Sequence, residues 1–453
     1  MVSNLNQVNN LSKNFKRTVR DTPRVLAFEV FTEVMRNGAY SNLLLPQELS
    51  ESELDRRDRA FVTELVYGSI RQLGRNDAIA AKFSQRPWPE VEAGIVDVIR
   101  LGAYQLFDMR IPTHAAVDST VNLARQVIGE SKATFVNAIM RKLAAKTLNE
   151  HLSEYSDGSI TSLAIRYSHP EWIINSFRDF ISDPQELISL LECNNQAVSP
   201  TLVAWPSKSS QEELVSLGAL ATKFSKYGAI FNGAPNELAP IRERRAGVQD
   251  EGSQLLAQIF ATAAAEKEPW LDLCAGPGGK AALLSYLTQE ALIANEISET
   301  RARLVSRVLR NDGRVINEDG RLLKLSDVGS VLADVPCTGL GALRRRPEIR
   351  WRRSPNDLPG LTKLQFELAA NAIDLIPTDG IFGYATCSPH MAETVAQCAS
   401  FEKKFPLEKI DVTPILDGVS VSKIEAATRD GYMQLWPHRH GTDAMFLALY
   451  RKR

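Results

Sequence analysis

Residues 270–280 read WLDLCAGPGGK, and the way this stretch must bend sets the fold around it. Pro269 closes whatever precedes it, and Trp270, Leu271, Asp272 and Leu273 make a short buried strand. Gly276, Gly278 and Gly279 then form a tight turn that opens a helix at Lys280. Glycines there let the backbone approach a ligand closely, and the N–H groups and dipole at the new helix's N-terminus suit a polar or anionic group. Taken alone, such a turn says α/β and no more, because every doubly wound domain contains one.

Downstream of the turn the order is regular. Residues 291–296 (ALIANE) predict a second strand ending in Glu296, and 299–311 a helix. Residues 314–317 predict a third strand, followed by Glu318, Asp319 and Gly320. Residues 329–334 predict a fourth, running into Asp334, Val335, Pro336 and Cys337. A helix over 362–376 leads to a fifth strand at 380–385, which ends in Thr386, Cys387, Ser388 and Pro389. Residues 432–436 and 444–450 fit a closing antiparallel pair. Repeated βα units predict a doubly wound, Rossmann-like α/β domain over 246–453, with helices on both faces of the sheet and ligands beyond the strands' carboxyl ends. The unusual residues fall at five such ends: 274–280, Glu296, Asp319, 334–337 and 386–387.

Toward the N-terminus the character changes twice. Residues 147–245 are mixed, with a helix around 172–180 and a strand at 201–205, and predict a small α+β connecting domain ending in the basic run 242–245. Residues 21–146 predict an all-α domain. Val62/Leu65/Val66/Ile70, Val117/Val121/Ala124/Ile128 and Val136/Ile139/Met140/Leu143 recur at helical spacing, and prolines break the segments between them. Arg56, Arg57, Arg59, Arg71, Arg75, Arg125, Arg141 and Lys142 make a charged face that can track phosphates or simply stay solvated. Residues 1–20 are Asn-rich and carry Lys13, Lys16, Arg17 and Arg20 without an acid, which predicts a flexible basic arm.

Composition bounds the function. The 453 residues suggest about three domains; 44% hydrophobic content supports large cores, and a net charge of −1 leaves nucleic-acid binding to local basic patches. Five cysteines without CxxC spacing argue against a disulfide scaffold or a zinc site. His169, His390, His438 and His440 match no zinc pattern either, so no metal is expected. A polar N-terminus and the lack of an apolar run of about 18 residues predict a cytoplasmic protein with no membrane partner.

The spacing from Gly279 to Glu296 suits an acid that binds ribose hydroxyls, which dinucleotide enzymes and adenosylmethionine-dependent methyltransferases both require. GPGG departs from GxGxxG, against the dinucleotide reading. Cys193 and Cys398 read as packing residues and Cys274 as a backbone contact within the turn. Cys337 and Cys387, in turns at neighbouring strand ends, do not fit core packing. A thiol beside a methyl donor answers a chemical problem: C5 of cytosine or uracil is a poor nucleophile until a thiolate adds to C6. An acid at N3 eases that addition, and Asp334, three residues before Cys337, is placed for it. An amino-methylating DPPY-like motif would use an aromatic platform where this chain has Cys337. The chemistry alone lets either cysteine attack.

Three stretches, RRDRAFVTELVYGSIR (56–71), RLGAYQLFDMRIPTHAAVDSTVNLAR (100–125) and FVNAIMRKLAA (135–145), resemble the NusB family of small helical RNA-binding domains. VQDEGSQL (248–255), LDLCAGPGGK (271–280), DVPCTGLGALRRRPEIRW (334–351), YATCSPH (384–390) and HGTDAMFLALYRK (440–452) resemble the RNA 5-methylcytosine methyltransferases of the NOL1/NOP2/Sun family. The resemblance implies S-adenosylmethionine held by Cys274, Ala275, Gly276, Pro277, Gly278, Gly279, Lys280, Glu296, Asp319 and Asp334. It implies Cys387 as nucleophile and Cys337 in product release. With the NusB-like domain it implies a cytosine of small-subunit (16S) ribosomal RNA as target, as free RNA or in an early small-subunit precursor. The chain departs from the family pattern with Gly276 in place of Ala, Glu296 in place of Asp, and Val335 where Pro or Ala is frequent.

Arg344, Arg345, Arg346, Arg350, Arg352 and Arg353 stand within ten residues whose one acid is Glu348, so RNA backbone contact is expected there, with Trp351 as a stacking partner or a local anchor. Two other functions compete: an RNA-binding assembly or antitermination factor with an inert methyltransferase fold, and an NAD-linked oxidoreductase. Asp334, Cys337 and Cys387 together speak against the first.

Overall fold

Helical periodicity in the N-terminal part becomes a packed bundle in the computed structural model, which describes residues 23–453; the arm expected over 1–20 lies outside the described residues. Pro23–Asn37, Arg56–Arg71, Ala93–Phe107, Thr113–Val127 and Glu130–Leu143 are its longer helices. Val62, Leu65, Val66 and Ile70, and likewise Val136, Ile139, Met140 and Leu143, are buried as their spacing predicts. Gly68 lets two helices approach closely, because a Cβ there would stand 1.9 Å from the Tyr104 ring. The buried Asp97 accepts hydrogen bonds from Arg36 Nε (2.7 Å) and Arg100 Nη1 (3.2 Å), the pairing a buried carboxylate requires. Two cations of the expected charged face are not on it. Arg71 and Arg75 are buried, and Arg75 donates to Asp108 Oδ1 and Asn76 Oδ1, both at 3.1 Å.

This unit ends at Ser168, beyond the boundary expected at 146. The reason is packing: His151 lies edge-on to Phe83 and Phe107 at 5.8 and 5.6 Å, and Ser168 Oγ accepts the Gly74 N–H at 3.1 Å. Among the described residues no helix is long and apolar enough to cross a membrane.

The second unit begins at His169. Its smaller sheet holds β1 (Thr201–Ala204), β2 (Leu220–Ala221), β3 (Gly228–Ile230) and β4 (Ala246–Val248) in the antiparallel order β2-β3-β1-β4. Leu202, Ala204, Ala229 and Ala246 pack on one face with Leu214 and Leu238. Val203 and Trp205 turn the other way and join the large core, where Trp205 stacks on Tyr286 at 5.6 Å. Residues 147–168 cluster with the helical unit, and the strand expected at 201–205 lies in a four-stranded sheet that shares a core with the C-terminal domain.

The larger sheet holds β5 (Trp270–Asp272), β6 (Ile293–Asn295), β7 (Arg314–Ile316), β8 (Ser330–Asp334), β9 (Ile381–Thr386), β10 (Leu407–Ile410), β11 (Thr428–Arg429), β12 (Tyr432–Gln434) and β13 (Phe446–Lys452). β5 to β9 are parallel in the order β9-β8-β5-β6-β7, and β13, β12 and β11 extend antiparallel from β9, with β10 paired to β13. Side chains alternate across the sheet. Leu332, Leu447 and Leu449 face the core of helices Glu251–Ala263 and Gly279–Leu287, whereas Val331, Ala333, Phe446, Ala448 and Tyr450 face that of Leu358–Leu375 and Val395–Lys404. β5 has β6 on one side and β8 on the other, so the chain reverses its direction of progress there and opens a crevice beyond the carboxyl ends.

Candidate active site

The crevice is floored by the glycine turn. Ala275 N donates to Asn295 O (2.9 Å) and Gly278 N to Ala275 O (2.8 Å); the Gly276–Pro277 peptide is cis. Gly278, at φ +117°, caps helix Gly279–Leu287, and a Cβ there would be both strained and 2.7 Å from Val308 Cγ2. Glu296, just past β6, reaches back over the turn. Its Oε2 accepts the Gly276 N–H at 3.1 Å, while Oε1 accepts the Ser298 N–H at 2.8 Å and pairs with Arg301 Nη2 at 2.7 Å. A Cβ on Gly276 would stand 2.1 Å from Glu296 Oε2. The two departures from the family pattern are thus one feature: the longer acid takes the space that an alanine methyl would fill. Asp319, after β7, lies one strand further out, its carboxyl held below the usual range by hydrogen bonds from Arg321, with Nη2 at 2.6 Å.

Asp272 is buried at the end of β5, and among the described residues no well-formed hydrogen bond reaches its carboxylate oxygens, the Cys274 N–H approaching them at poor geometry. Burial pushes its pKa up to about 7, and Asp334 adds to the rise. A buried carboxylate without a donor is costly and marks a place where a donor or a cation belongs.

β8 and β9 bring the two cysteine turns together. Asp334 and Ala385 are in register, Val335 N donates to Ala385 O at 3.0 Å, and Cys337 Sγ lies 3.4 Å from Cys387 Sγ. Lys280, from the first turn of the helix after the glycines, donates to Asp334 Oδ2 at 2.8 Å. Burial alone would lower the Lys280 pKa, but Asp334 holds the ammonium above its ordinary range. The hydrogen bond between the sulfurs draws the Cys387 thiol below its ordinary range, with Lys280 and Arg346 adding to that; the same bond drives Cys337 well up, together with burial. Burial also keeps Cys274 a neutral thiol, and Cys398 packs in the core as expected.

A shell that the sequence did not disclose lies behind the cysteines. Glu393, fully buried, accepts from Thr338 and Gln365, and Thr338 meets Ser388. Its neighbourhood HMAETVAQC reads as an ordinary helix start, where an acid is common, and nothing local signals its burial.

The arginine stretch needs correction as an RNA clamp. Arg350 is fully buried and donates to Asn195 Oδ1 at 2.6 Å and to Asn194 O; Arg344 is buried and donates to Gly441 O at 2.6 Å; Arg345 pairs with the buried Asp443. These three tie the segment after Cys337 to distant parts of the same unit. Arg346, Arg352 and Arg353 are half-buried, and Arg353 Nη2 reaches Cys337 O at 3.3 Å. Trp351 is half-buried on the short helix Ile349–Arg352. The histidines make structural contacts: His440 Nδ1 accepts the Trp436 N–H at 2.8 Å, and His390 Nδ1 the Ala392 N–H at 3.1 Å.

Comparison with known proteins fits this arrangement. The model of the 16S rRNA methyltransferase RsmB/F family matches residues 259–451, and that of the NusB family residues 21–145. The Mycobacterium tuberculosis protein Rv1407 is 39% identical, over 97% of this chain and 99% of its own. Ribosomal RNA small subunit methyltransferase B of Pseudomonas putida is 30% identical, over 85% of this chain and 89% of its own. The crystal structure of PH0851 shares the fold, with a TM-score of 0.77 at 17% identity over 96% of this chain and all of that one. The chain belongs to the RsmB/F family of 16S rRNA methyltransferases and carries a NusB-family domain at its N-terminal end.

Proposed function

We propose that this protein methylates C5 of a cytosine in 16S ribosomal RNA, through a covalent bond between Cys387 and C6 of the base, with S-adenosylmethionine as cofactor. The observation that carries the reading is the pair of thiols 3.4 Å apart beside the Lys280–Asp334 pair, at the mouth of a glycine turn. That turn fits the cofactor. Gly276 and Gly278 let the turn pack closely against Glu296 and Val308, where a Cβ would clash, Glu296 and Asp319 offer carboxylates for ribose hydroxyls at the next two strand ends, and the buried Asp272 carboxylate suits a cation. When bound, S-adenosylmethionine supplies an electrophilic methyl group to the activated C5.

The chain's residues do the rest. Cys387, biased toward thiolate, adds its sulfur electron pair to C6, and the charge that develops spreads onto N3. As that charge develops, Asp334 donates a proton to N3, the Lys280 ammonium behind it compensates the carboxylate left behind, and N3 returns the proton when the C6–S bond breaks. After methylation a base removes the C5 proton, the C6–S bond breaks, and its electron pair returns to Cys387. Cys337, held neutral, donates its S–H to the departing sulfur. The NusB-family domain and the half-buried Arg346 and Arg352 hold the RNA, free or in an early small-subunit precursor.

Transfer of labelled methyl from S-adenosylmethionine to 16S RNA, with bisulfite mapping of the product, tests the reading. Cys387→Ala should abolish transfer and form no adduct, while Cys337→Ala should accumulate a protein–RNA adduct that survives denaturing electrophoresis. An adduct kept in Cys387→Ala and lost in Cys337→Ala would reverse the two roles, and absence of transfer by the unaltered protein would sink the reading.

A further inference from the structure

One buried carboxylate holds both cysteine turns. Glu393 Oε1 accepts the Thr338 N–H at 2.8 Å and Gln365 Nε2 at 3.0 Å, and Oε2 accepts the Thr338 hydroxyl at 2.5 Å. Thr338 follows Cys337. The Thr338 hydroxyl, its proton committed to Glu393, is left as an acceptor for Ser388 Oγ at 3.0 Å, and Ser388 follows Cys387. Ser388 Oγ in turn accepts the His390 N–H at 3.2 Å. Gln365 also donates to Pro336 O at 2.9 Å, so Glu393 fixes the backbone on both sides of Cys337, directly and through one amide.

A hydrogen-bonding shell of this kind does not require a charge. A glutamine at 393 could accept from Thr338, and burying a carboxylate carries a desolvation cost that an amide avoids. The charge therefore has a use beyond holding the turn. The charged groups that act on the thiols are divided: Glu393 and Asp334 act on Cys337, whereas Lys280 and Arg346 favour the Cys387 thiolate and Asp334 opposes it.

We propose that Glu393 is the positioning residue of the thiol pair: it holds Cys337 as a neutral thiol against Cys387, and so assigns attack to Cys387 and release to Cys337. The inference rests on the covalent mechanism proposed above. The direction of the Cys337 shift, raised by the bond to Cys387, by burial and by Glu393, agrees with the geometry.

Glu393→Gln in the full chain tests it through two readouts that a merely structural role would not move. The first is the denaturant-stable adduct with 16S RNA: it should build up in Glu393→Gln as in Cys337→Ala, about tenfold above the unaltered protein, because attack persists while release slows. The second is alkylation of Cys337 by iodoacetamide, followed by mass spectrometry across pH, which should set in about one pH unit lower without the charge, a tenfold gain in thiolate at fixed pH. Should Glu393→Gln fail to fold, Thr338→Val keeps the charge and removes only a hydroxyl of the shell: alkylation of Cys337 should then not move to lower pH, and a move of about one unit would assign the effect to the shell and overturn the inference. In Glu393→Gln, an unmoved alkylation profile, or attack and release falling together with no adduct, overturns the inference. If Cys337→Ala itself traps nothing, the covalent mechanism is at fault, and the alkylation profile still decides the placement of Glu393.

Discussion

Asp272 at the end of β5 and Arg344 and Arg350 after Cys337 are all buried charge, and the fold treats them in opposite ways. Among the described residues no well-formed hydrogen bond reaches either Asp272 oxygen, and burial lifts its pKa to about 7 against the Lys280 ammonium and the Cys274 N–H, which act to lower it. Arg350 is buried just as deeply but meets Asn195 and Asn194, while Arg344 meets Gly441 and Arg345 meets Asp443. A buried charge with partners is scaffold; one without is held at a cost for something that arrives later. Charge density in the sequence points to the arginines and misses Asp272, because neither burial nor partners is written in it.

The sharpest break of that contrast is at Gly276. Gly276→Ala forces a methyl to within 2.1 Å of Glu296 Oε2, so either the acid leaves or the turn shifts. Affinity for S-adenosylmethionine should fall at least about 100-fold by calorimetry, or roughly 2.8 kcal/mol, with circular dichroism unchanged. Adding Glu296→Asp shortens the acid by one methylene and should restore most of the loss. Equal affinities for Gly276→Ala and the unaltered protein would mean that Glu296 does not set the cradle.

Next comes Arg350→Ala, which leaves the Asn194 carbonyl and the Asn195 side chain without their donor. It should destabilise the chain by about 2–3 kcal/mol in a urea titration. Its RNA affinity, measured well below the transition, should be unchanged. Full stability with weaker RNA binding would return Arg350 to the phosphate-contacting role that its sequence neighbourhood suggests.

How much was legible follows the same line. The turn 274–280, the five parallel strands and the positions of Cys337 and Cys387 could be read because each is written in local spacing: glycines where φ or close approach demands them, and special residues where strands end. Glu393 could not be read, since its partners Thr338 and Gln365 lie 55 and 28 residues away. Arg350 misled for the same reason, its partners being more than 150 residues away. The compact unit runs on to Ser168, past the NusB-family match at 21–145, because His151 and Ser168 pack by shape on Phe83, Phe107 and Gly74, which no period records. The link between Gly276 and Glu296 was present in the sequence as two separate oddities, and it took the 2.1 Å approach to make them one.

Asp272 offers a prediction of opposite sign to that for Arg350. Folded, its carboxyl titrates at about 7 against an ordinary 3.8, so between those values the folded state binds a proton that the unfolded chain has lost. The stability this gives is complete below the lower value and is lost as pH rises through the upper one. Asp272→Asn removes the titration. Its stability relative to the unaltered protein should climb from pH 4 to pH 7 and level off above, as a net gain. Cofactor affinity should fall across the same range. A variant less stable than the parent at pH 8 would mean that Asp272 has a partner after all and belongs with the arginines.

The smallest effect tests what remains of the arginine stretch. Arg346 and Arg352 are half-buried, whereas Arg344 and Arg350 are buried. If they meet phosphates, each releases about one counterion, so Arg346→Ala with Arg352→Ala should lower RNA affinity about three- to tenfold and reduce the slope of log K against log salt by about 1–2. Arg346 also favours the Cys387 thiolate, so turnover should fall further than binding, and the excess should shrink as pH rises and the thiolate forms without help. An unchanged salt slope with the turnover loss intact would assign Arg346 to the thiol alone and leave phosphate contact to the helical unit. The stretch after Cys337 would then carry no RNA-binding charge, and its density of arginine would be explained by the frame that holds the cysteine turn.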